Sequence, residues 1–355
     1  MKKIILFLFC FFIFISSGLA INLNSESLIA QDINSGRIFY EKNSNDKRLI
    51  ASTTKIMTAI LAIESNKLET IVTVGEEVLK MYGSNIYLEL NEHMLLIDLV
   101  YGLLMRSGND ASVVIANYVG ETEENFVKMM NAKAKELGMD DTIFMNPHGL
   151  DDDTKNYSTA KDLSLLYSYA YHNENFRKII KTKKYTTTTD YKSYVWQNKT
   201  KIVSTYDKST GGKTGYTPDA GRVLVSSASN NDLDLVIASF NHGDYDYVLH
   251  KDLFEDIFYN YQNYQILNKE KFIIKNSKYE NIYIKEDFFY PVTDDEKSKI
   301  TKKIKYLDEK YKDGVVGEIY IYLEDEIIFK TQIYNKESKN TILDRIKNWF
   351  NNLLN

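Results

Sequence analysis

The sequence predicts an α+β protein: an antiparallel sheet packed with helices, then a small all-β domain, then a terminal amphipathic helix. Three observations carry this. Strand-like runs near the N-terminal end and again past about residue 185 bracket a helical middle. From Lys271 to about Lys336 the pattern turns into short alternating strands. The final residues place their apolar side chains on a helical period.

In chain order, the first twenty residues stand apart. Lys2 and Lys3, an apolar run from Ile4 to Ile15 and small Gly18 and Ala20 form the pattern of a cleaved secretory signal, with an apolar core short for a bilayer span. The single cysteine, Cys10, lies inside it, so residues 21–355 hold no disulfide, no thiolate nucleophile and no cysteine metal site. Without Lys2 and Lys3 the formal charge moves from −5 to −7, with 42 basic against 49 acidic residues. An acidic chain with dispersed lysines lacks the electrostatic footprint of a nucleic-acid binder. At 44% apolar and 26% charged, the composition is that of a globular protein, and the length suits two domains.

"SLIAQDINSGRIFYEKN" reads as a hairpin turning at Asn34-Ser35-Gly36. Helical patterns cover Ser52–Glu64, Leu96–Arg106, Asp110–Val119, Glu123–Leu137 and Ala160–His172. Gly138 suits a C-cap, and Thr159 with Asp162 suits a capping box. "YTTTT", "RVLVSSAS" and "LDLVIASF" are β-branched runs, the last two joined across Asn230-Asn231-Asp232. A helix follows over Tyr247–Tyr261. The expected domains are 1–20 signal, 21–265 main domain, 266–337 β-rich domain and 338–355 terminal helix.

Three short motifs carry possible chemistry. In "ASTTKIMTA", Ser52 and Lys55 are three residues apart on one helix face, within reach of each other at the positive end of the helix dipole. A lysine partly buried near other cations can lose its proton near neutral pH and act as a base. The plainer reading is an N-cap serine followed by a solvated lysine. In "MRSGNDAS", Ser107, Gly108 and Asn109 separate two apolar helices, although Ser, Asn and Asp are also ordinary helix starters. In "GGKTGYT", Lys213, Thr214 and Gly215 precede a strand hairpin. Lys213 offers a cation to an anion, and Gly215 would let a ligand backbone lie close. A phosphate loop is excluded, because Asp207 stands where that motif needs glycine and a strand follows instead of a helix.

Taken together, S-x-x-K, S-x-N and K-T-G in this order resemble the serine penicillin-recognising enzymes. Within that group the chain resembles a low-molecular-mass penicillin-binding protein of the D-alanyl-D-alanine carboxypeptidase type. "AKELGM", "NPHGL", "YSTAKDL" and "AG" after "GGKTGYT" extend the likeness from about residue 27 to 260, and the β-rich part resembles the family's second domain. The resemblance implies a β-lactamase/penicillin-binding-protein-like transpeptidase fold, with no metal and no organic cofactor. It implies Ser52 as nucleophile, Lys55 as base and Ser107 as proton relay. Asn109 would hold the substrate amide, Lys213 and Thr214 its terminal carboxylate, with Gly215 beside them. The N–H groups of Ser52 and Tyr216 would form the oxyanion hole. The implied partners are peptidoglycan stem peptides and β-lactam antibiotics. One departure is that the family commonly has an arginine where this chain reads "YDYVLHKDLF", with His250 at about that place. His250 and His148 are both expected to be structural.

In the tail "NTILDRIKNWFNNLLN", Ile342, Leu343, Ile346, Trp349, Phe350, Leu353 and Leu354 share one helical face. This resembles the family's amphipathic anchor on the outer face of the cytoplasmic membrane; the plainer alternative is a helix packed on the β-rich domain. The expectation is therefore an exported, membrane-attached D,D-carboxypeptidase. Alternatives are a D,D-endopeptidase on cross-links, a penicillin sensor or a serine β-lactamase.

Overall fold

The protein is described from a computed structural model, which describes residues 23–274, 277, 279, 281–307 and 314–335. The expected signal at 1–20 and the expected terminal helix at 338–355 lie outside the described residues.

The N-terminal hairpin forms as β1 (Ser27–Asp32) and β2 (Ile38–Lys42). Its turn is closed by the Asp32 carboxylate, which accepts from the Ser35 N–H and hydroxyl, each at 2.6 Å. The helical middle follows: α1 (Lys55–Glu64), α2 (Leu96–Arg106), α3 (Asn109–Gly120), α4 (Glu123–Glu136), α5 (Ala160–Tyr171) and α6 (Glu174–Ile180). Then come β3 (Ser209–Thr217), β4 (Gly221–Asn230) and β5 (Leu233–Phe240), and the helix α7 (Asp246–Asn260). The strands assemble in the antiparallel order β2-β1-β5-β4-β3, so the N-terminal hairpin closes one side and β3 is left at the other edge. The β4–β5 turn places Asn231 and Asp232 at positive φ, the geometry two-residue hairpins require.

Both sheet faces are covered. Ile29, Val223, Val225, Val236 and Ala238 meet the large core of α1 to α6. Leu28, Ala30, Leu235 and Ile237 meet Leu249, Leu253, Phe254 and Ile257 of α7. Residues i and i+1 of a strand point to opposite faces, so a strand covered on both sides carries a near-continuous apolar run, as Leu235 to Ala238 do in "LDLVIASF". Each large side chain buried this way contributes about 1.5–3 kcal/mol relative to exposure.

Two local expectations are corrected. Thr159 does cap α5 by accepting from the Asp162 N–H, but the reciprocal bond of a capping box does not form, because the Asp162 carboxylate is taken by the Asp141 N–H and the Thr142 hydroxyl. And "KFIIKN" is not a strand over its described residues, whereas "ITKKIKY" is.

The β-rich part begins at β6 (Gln262–Leu267), ahead of the boundary expected at 266. Next are β7 (Ile282–Tyr283), β8 (Phe288–Val292), β9 (Ile300–Tyr306), β10 (Val315–Leu323) and β11 (Glu326–Asn335). β6 pairs with β8, and a four-stranded antiparallel sheet runs β7-β11-β10-β9 over its own core of Ile266, Ile319, Ile321 and Ile333. Among the described residues no helix is long and apolar enough to cross a membrane.

Candidate active site

Ser52 lies on a single 3-10 turn, Ala51–Thr54, that leads directly into α1. The threonines tighten this turn: Thr53 Oγ1 donates to the Ile50 carbonyl at 2.6 Å and Thr54 Oγ1 to the Ala51 carbonyl at 2.8 Å. Residues i and i+3 eclipse on a 3-10 turn, which sets Lys55 beside Ser52. No side chain caps either helical segment here, so Ser52 is not an N-cap and its hydroxyl is left for other partners.

The Lys55 side chain is fully buried. Its Nζ lies 3.0 Å from Ser52 Oγ and 2.7 Å from Asn109 Oδ1, and it also meets the backbone carbonyl of His148. Both carbonyls can only accept, so Nζ donates to each. A neutral amine has two N–H groups and one lone pair, and the lone pair is then left for the Ser52 hydroxyl proton. Burial first, then the nearby Lys213 charge, push the Lys55 pKa well below the usual lysine range.

Asn109 is held at both ends of its amide, since its Nδ2 donates to the Tyr82 carbonyl at 2.6 Å. Its own N–H donates to the Ser84 carbonyl at 2.7 Å. Asp110 clamps the same segment by accepting from the N–H groups of Ile86 and Leu88. Ser107 ends α2 in the left-handed region (φ 63°), an uncommon conformation for a residue with a side chain. Its Oγ accepts from Lys213 Nζ at 3.0 Å. Lys213 is buried on β3 and also donates to the Thr214 carbonyl. Desolvation, with the Lys199 charge adding to it, brings its pKa down to about 7.

Thr214, Gly215 and Tyr216 follow Lys213 along the free edge strand, with Tyr216 largely exposed. The reason for glycine at 215 is packing. A Cβ there would lie 3.0 Å from both the Ile50 carbonyl oxygen and the Ser52 nitrogen. The edge strand thus sits directly against the turn that carries Ser52. Gly149 (φ +87°) does the same from the other side, since a Cβ on it would come within 2.0 Å of the Ala51 oxygen.

The structure therefore brings together two hydrogen-bonded groups, Ser52–Lys55–Asn109 and Ser107–Lys213, with Thr214, Gly215 and Tyr216 on the strand that carries Lys213. Two contributors escape a reading of the side chains. One is the His148 carbonyl; its loop is fixed by Asn146 Oδ1, which accepts from the N–H groups of His148 and Gly149. The His148 ring is structural: its Nδ1 accepts from the Leu150 N–H at 3.0 Å, and burial brings its pKa down to about 3. The other is Lys199. It donates to Ser84 Oγ and lies near enough to lower the pKa of both Lys55 and Lys213. Among the described residues, His250 makes no hydrogen bond to these groups and is held between Ser226 Oγ and Ser239 Oγ.

Residues 16–243 match the family described as D-alanyl-D-alanine carboxypeptidase, and residues 260–341 match penicillin-binding protein 5, C-terminal domain. D-alanyl-D-alanine carboxypeptidase DacF of Bacillus subtilis is 36% identical over 231 residues, covering 63% of this chain and 59% of that protein. DacC of Escherichia coli is 33% identical, covering 61% and 56%. The chain thus spans under two thirds of these two relatives. DacA of Haemophilus influenzae, at 27% identity, is matched over 92% of this chain and 88% of its own length. Among solved structures, penicillin binding protein 5 from Haemophilus influenzae superposes with a TM-score of 0.76 at 25% identity, covering 88% of this chain and 97% of the other. A mutant of the Streptomyces K15 DD-transpeptidase gives 0.63 at 27% identity, covering 67% and 98%.

Proposed function

Because the chain belongs to the D-alanyl-D-alanine carboxypeptidase family, we propose that it hydrolyses the terminal D-alanine from peptidoglycan stem pentapeptides through an ester on Ser52. The observation that carries this is the environment of Lys55 Nζ. Nζ meets two carbonyls that can only accept and lies 3.0 Å from the Ser52 hydroxyl, so in the neutral amine the remaining electron pair is the one that faces the hydroxyl to be activated.

Lys55 takes the Ser52 proton as Oγ attacks the penultimate D-alanine carbonyl. Charge collects on that carbonyl oxygen, where the Ser52 and Tyr216 N–H groups act as donors. Such donors are worth roughly 10²–10³ in rate each. The leaving D-alanine amine takes up the proton that Lys55 gained, relayed by Ser107, whose Oγ accepts from Lys213, so Lys55 is neutral again for the next step. The D-alanine carboxylate sits against Lys213 and Thr214. Binding of this anion restores the positive charge that burial disfavours on Lys213. Water then hydrolyses the ester, again with Lys55 as base. The free edge of β3 suits an extended peptide that adds to the sheet as a further strand.

The same ester forms with a β-lactam, so penicillins are expected to acylate Ser52. A β-lactamase needs a carboxylate base for fast release. Asp151, the first acidic residue after "NPHGL", already accepts from Thr217 Oγ1 at 2.6 Å. Transfer of the ester to an amine differs only in the acceptor, which the name of the Streptomyces protein brings into view. Export by residues 1–20 and attachment to the outer face of the cytoplasmic membrane by residues 338–355 complete the reading. The test is release of free D-alanine from a stem pentapeptide. The unaltered chain is expected to release it and Ser52→Ala to release none; equal release by both would remove Ser52 from the reaction.

A further inference from the structure

The sheet of the β-rich domain has one dry face and one charged face. Val316, Ile319, Ile321 and Ile333 point inward and are buried. Alternation along the strands sends Lys303, Tyr320 and Lys330 to the other side, where register aligns them as one row across three strands. The next row is Lys305, Glu318 and Gln332, and Lys285 reaches the same face over Tyr334.

Lys285, Lys303, Lys305 and Lys330 are all exposed, and none has a carboxylate within ion-pair distance among the described residues. Glu318 is the acid in these rows, and it accepts from the Tyr320 hydroxyl. This occurs in a chain of formal charge −5. Two of the ammonium groups are held in place over rings: Lys303 lies 4.5 Å from the Tyr322 centroid and Lys285 4.1 Å from that of Tyr334. A row of exposed cations with no carboxylate partner among the described residues, on an acidic protein, attracts an anion.

We propose that this face docks on a bilayer surface of acidic phospholipids, its lysines against headgroup phosphates and its tyrosines at the headgroup level. The bilayer is favoured over a dissolved polyanion by the chain's path. β11 ends at Asn335, next to Tyr334 of this face. The twenty residues that follow carry the apolar stripe from Ile342 to Leu354, so both features leave the same strand. The proposal rests on the extracytoplasmic reading above and adds a second contact that does not depend on the tail.

The test is co-sedimentation of the full chain with phosphatidylcholine vesicles, with and without about 30 mol% phosphatidylglycerol, at low and high salt. A lysine near such a surface contributes roughly 1 kcal/mol, so Lys303→Gln with Lys330→Gln should weaken partition onto acidic vesicles by about thirtyfold. Partition onto neutral vesicles should not change. Trp349→Ala with Phe350→Ala should weaken binding to both vesicle types. The thermal midpoint shows that each variant is folded, and D-alanine release by the same samples reports on the enzymatic reading separately. Undiminished binding of the lysine variant to acidic vesicles would overturn the proposal. So would equal losses on both vesicle types, or a loss confined to purified cell-wall polymer.

Discussion

At Lys55 several effects meet on one nitrogen. Complete burial strips water from the ammonium form, and the Lys213 and Lys199 charges oppose a further cation, while Asp110 acts in the opposite sense. The two carbonyl acceptors then fix which way the neutral amine points. His250 shows the same physics without chemistry. Its ring sits between Ser226 Oγ, 2.7 Å from Nδ1, and Ser239 Oγ, 2.8 Å from Nε2, and burial lowers its pKa to about 3. In the unfolded chain it titrates near ~6.5. Between these values the unfolded state binds a proton that the folded state refuses. Stability is therefore held above roughly pH 6.5 and falls as pH drops toward 3, by about 1.4 kcal/mol per pH unit for each such group. His148 adds the same dependence. His250→Gln keeps a donor and an acceptor for the two serines but does not titrate. Urea unfolding across this acid range should then lose about half of the two histidines' combined slope. An unchanged slope would show that His250 is not neutral in the folded protein.

Among the elements, those with a strong period were legible: the helices from α1 to α5, the N-terminal hairpin and the β4–β5 hairpin all stand close to the expected residues. The site strand β3 was harder. "STGGKTGYT" carries three glycines, which weaken a strand by propensity, and it forms because β4 pairs along it and the Ser52 turn packs on Gly215. The motif side chains were legible because Ser, Lys and Asn at those spacings have few other joint uses. The His148 carbonyl was not, since any residue supplies one. Lys199 was not either, since only the fold brings the segment after the Ser193–Gln197 strand to the site, where the Lys199 N–H donates to the Met105 carbonyl.

At the scale of the whole molecule, Arg37 joins the two domains. From the β1–β2 hairpin it donates to both carboxylate oxygens of Glu296 and to the Pro291 carbonyl, and its guanidinium lies over the Tyr261 and Tyr290 rings. The pair is largely buried, so the arginine is held in a geometry that a lysine could not copy. Lys213, Thr214 and Gly215 lie on β3, the opposite edge of the five-stranded sheet, which separates domain placement from the proposed chemistry. Arg37→Ala should loosen the junction, seen as faster proteolysis around Tyr261–Leu267, while D-alanine release stays near that of the unaltered chain. Proteolysis at the unaltered rate would mean that other contacts hold the domains.

The most direct measurement is the pH dependence of the second-order rate constant for acylation of Ser52 by benzylpenicillin, followed by intact mass. That constant reports the free enzyme. Lys55 must be neutral and Lys213 charged, and the two titrate as a coupled pair. The account predicts a bell: an acid limb set by Lys55 well below the ordinary lysine range, and a decline on the alkaline side beginning at about pH 7, where Lys213 loses its proton. A rate that keeps climbing toward pH ~10, as an unperturbed lysine base would give, would contradict it.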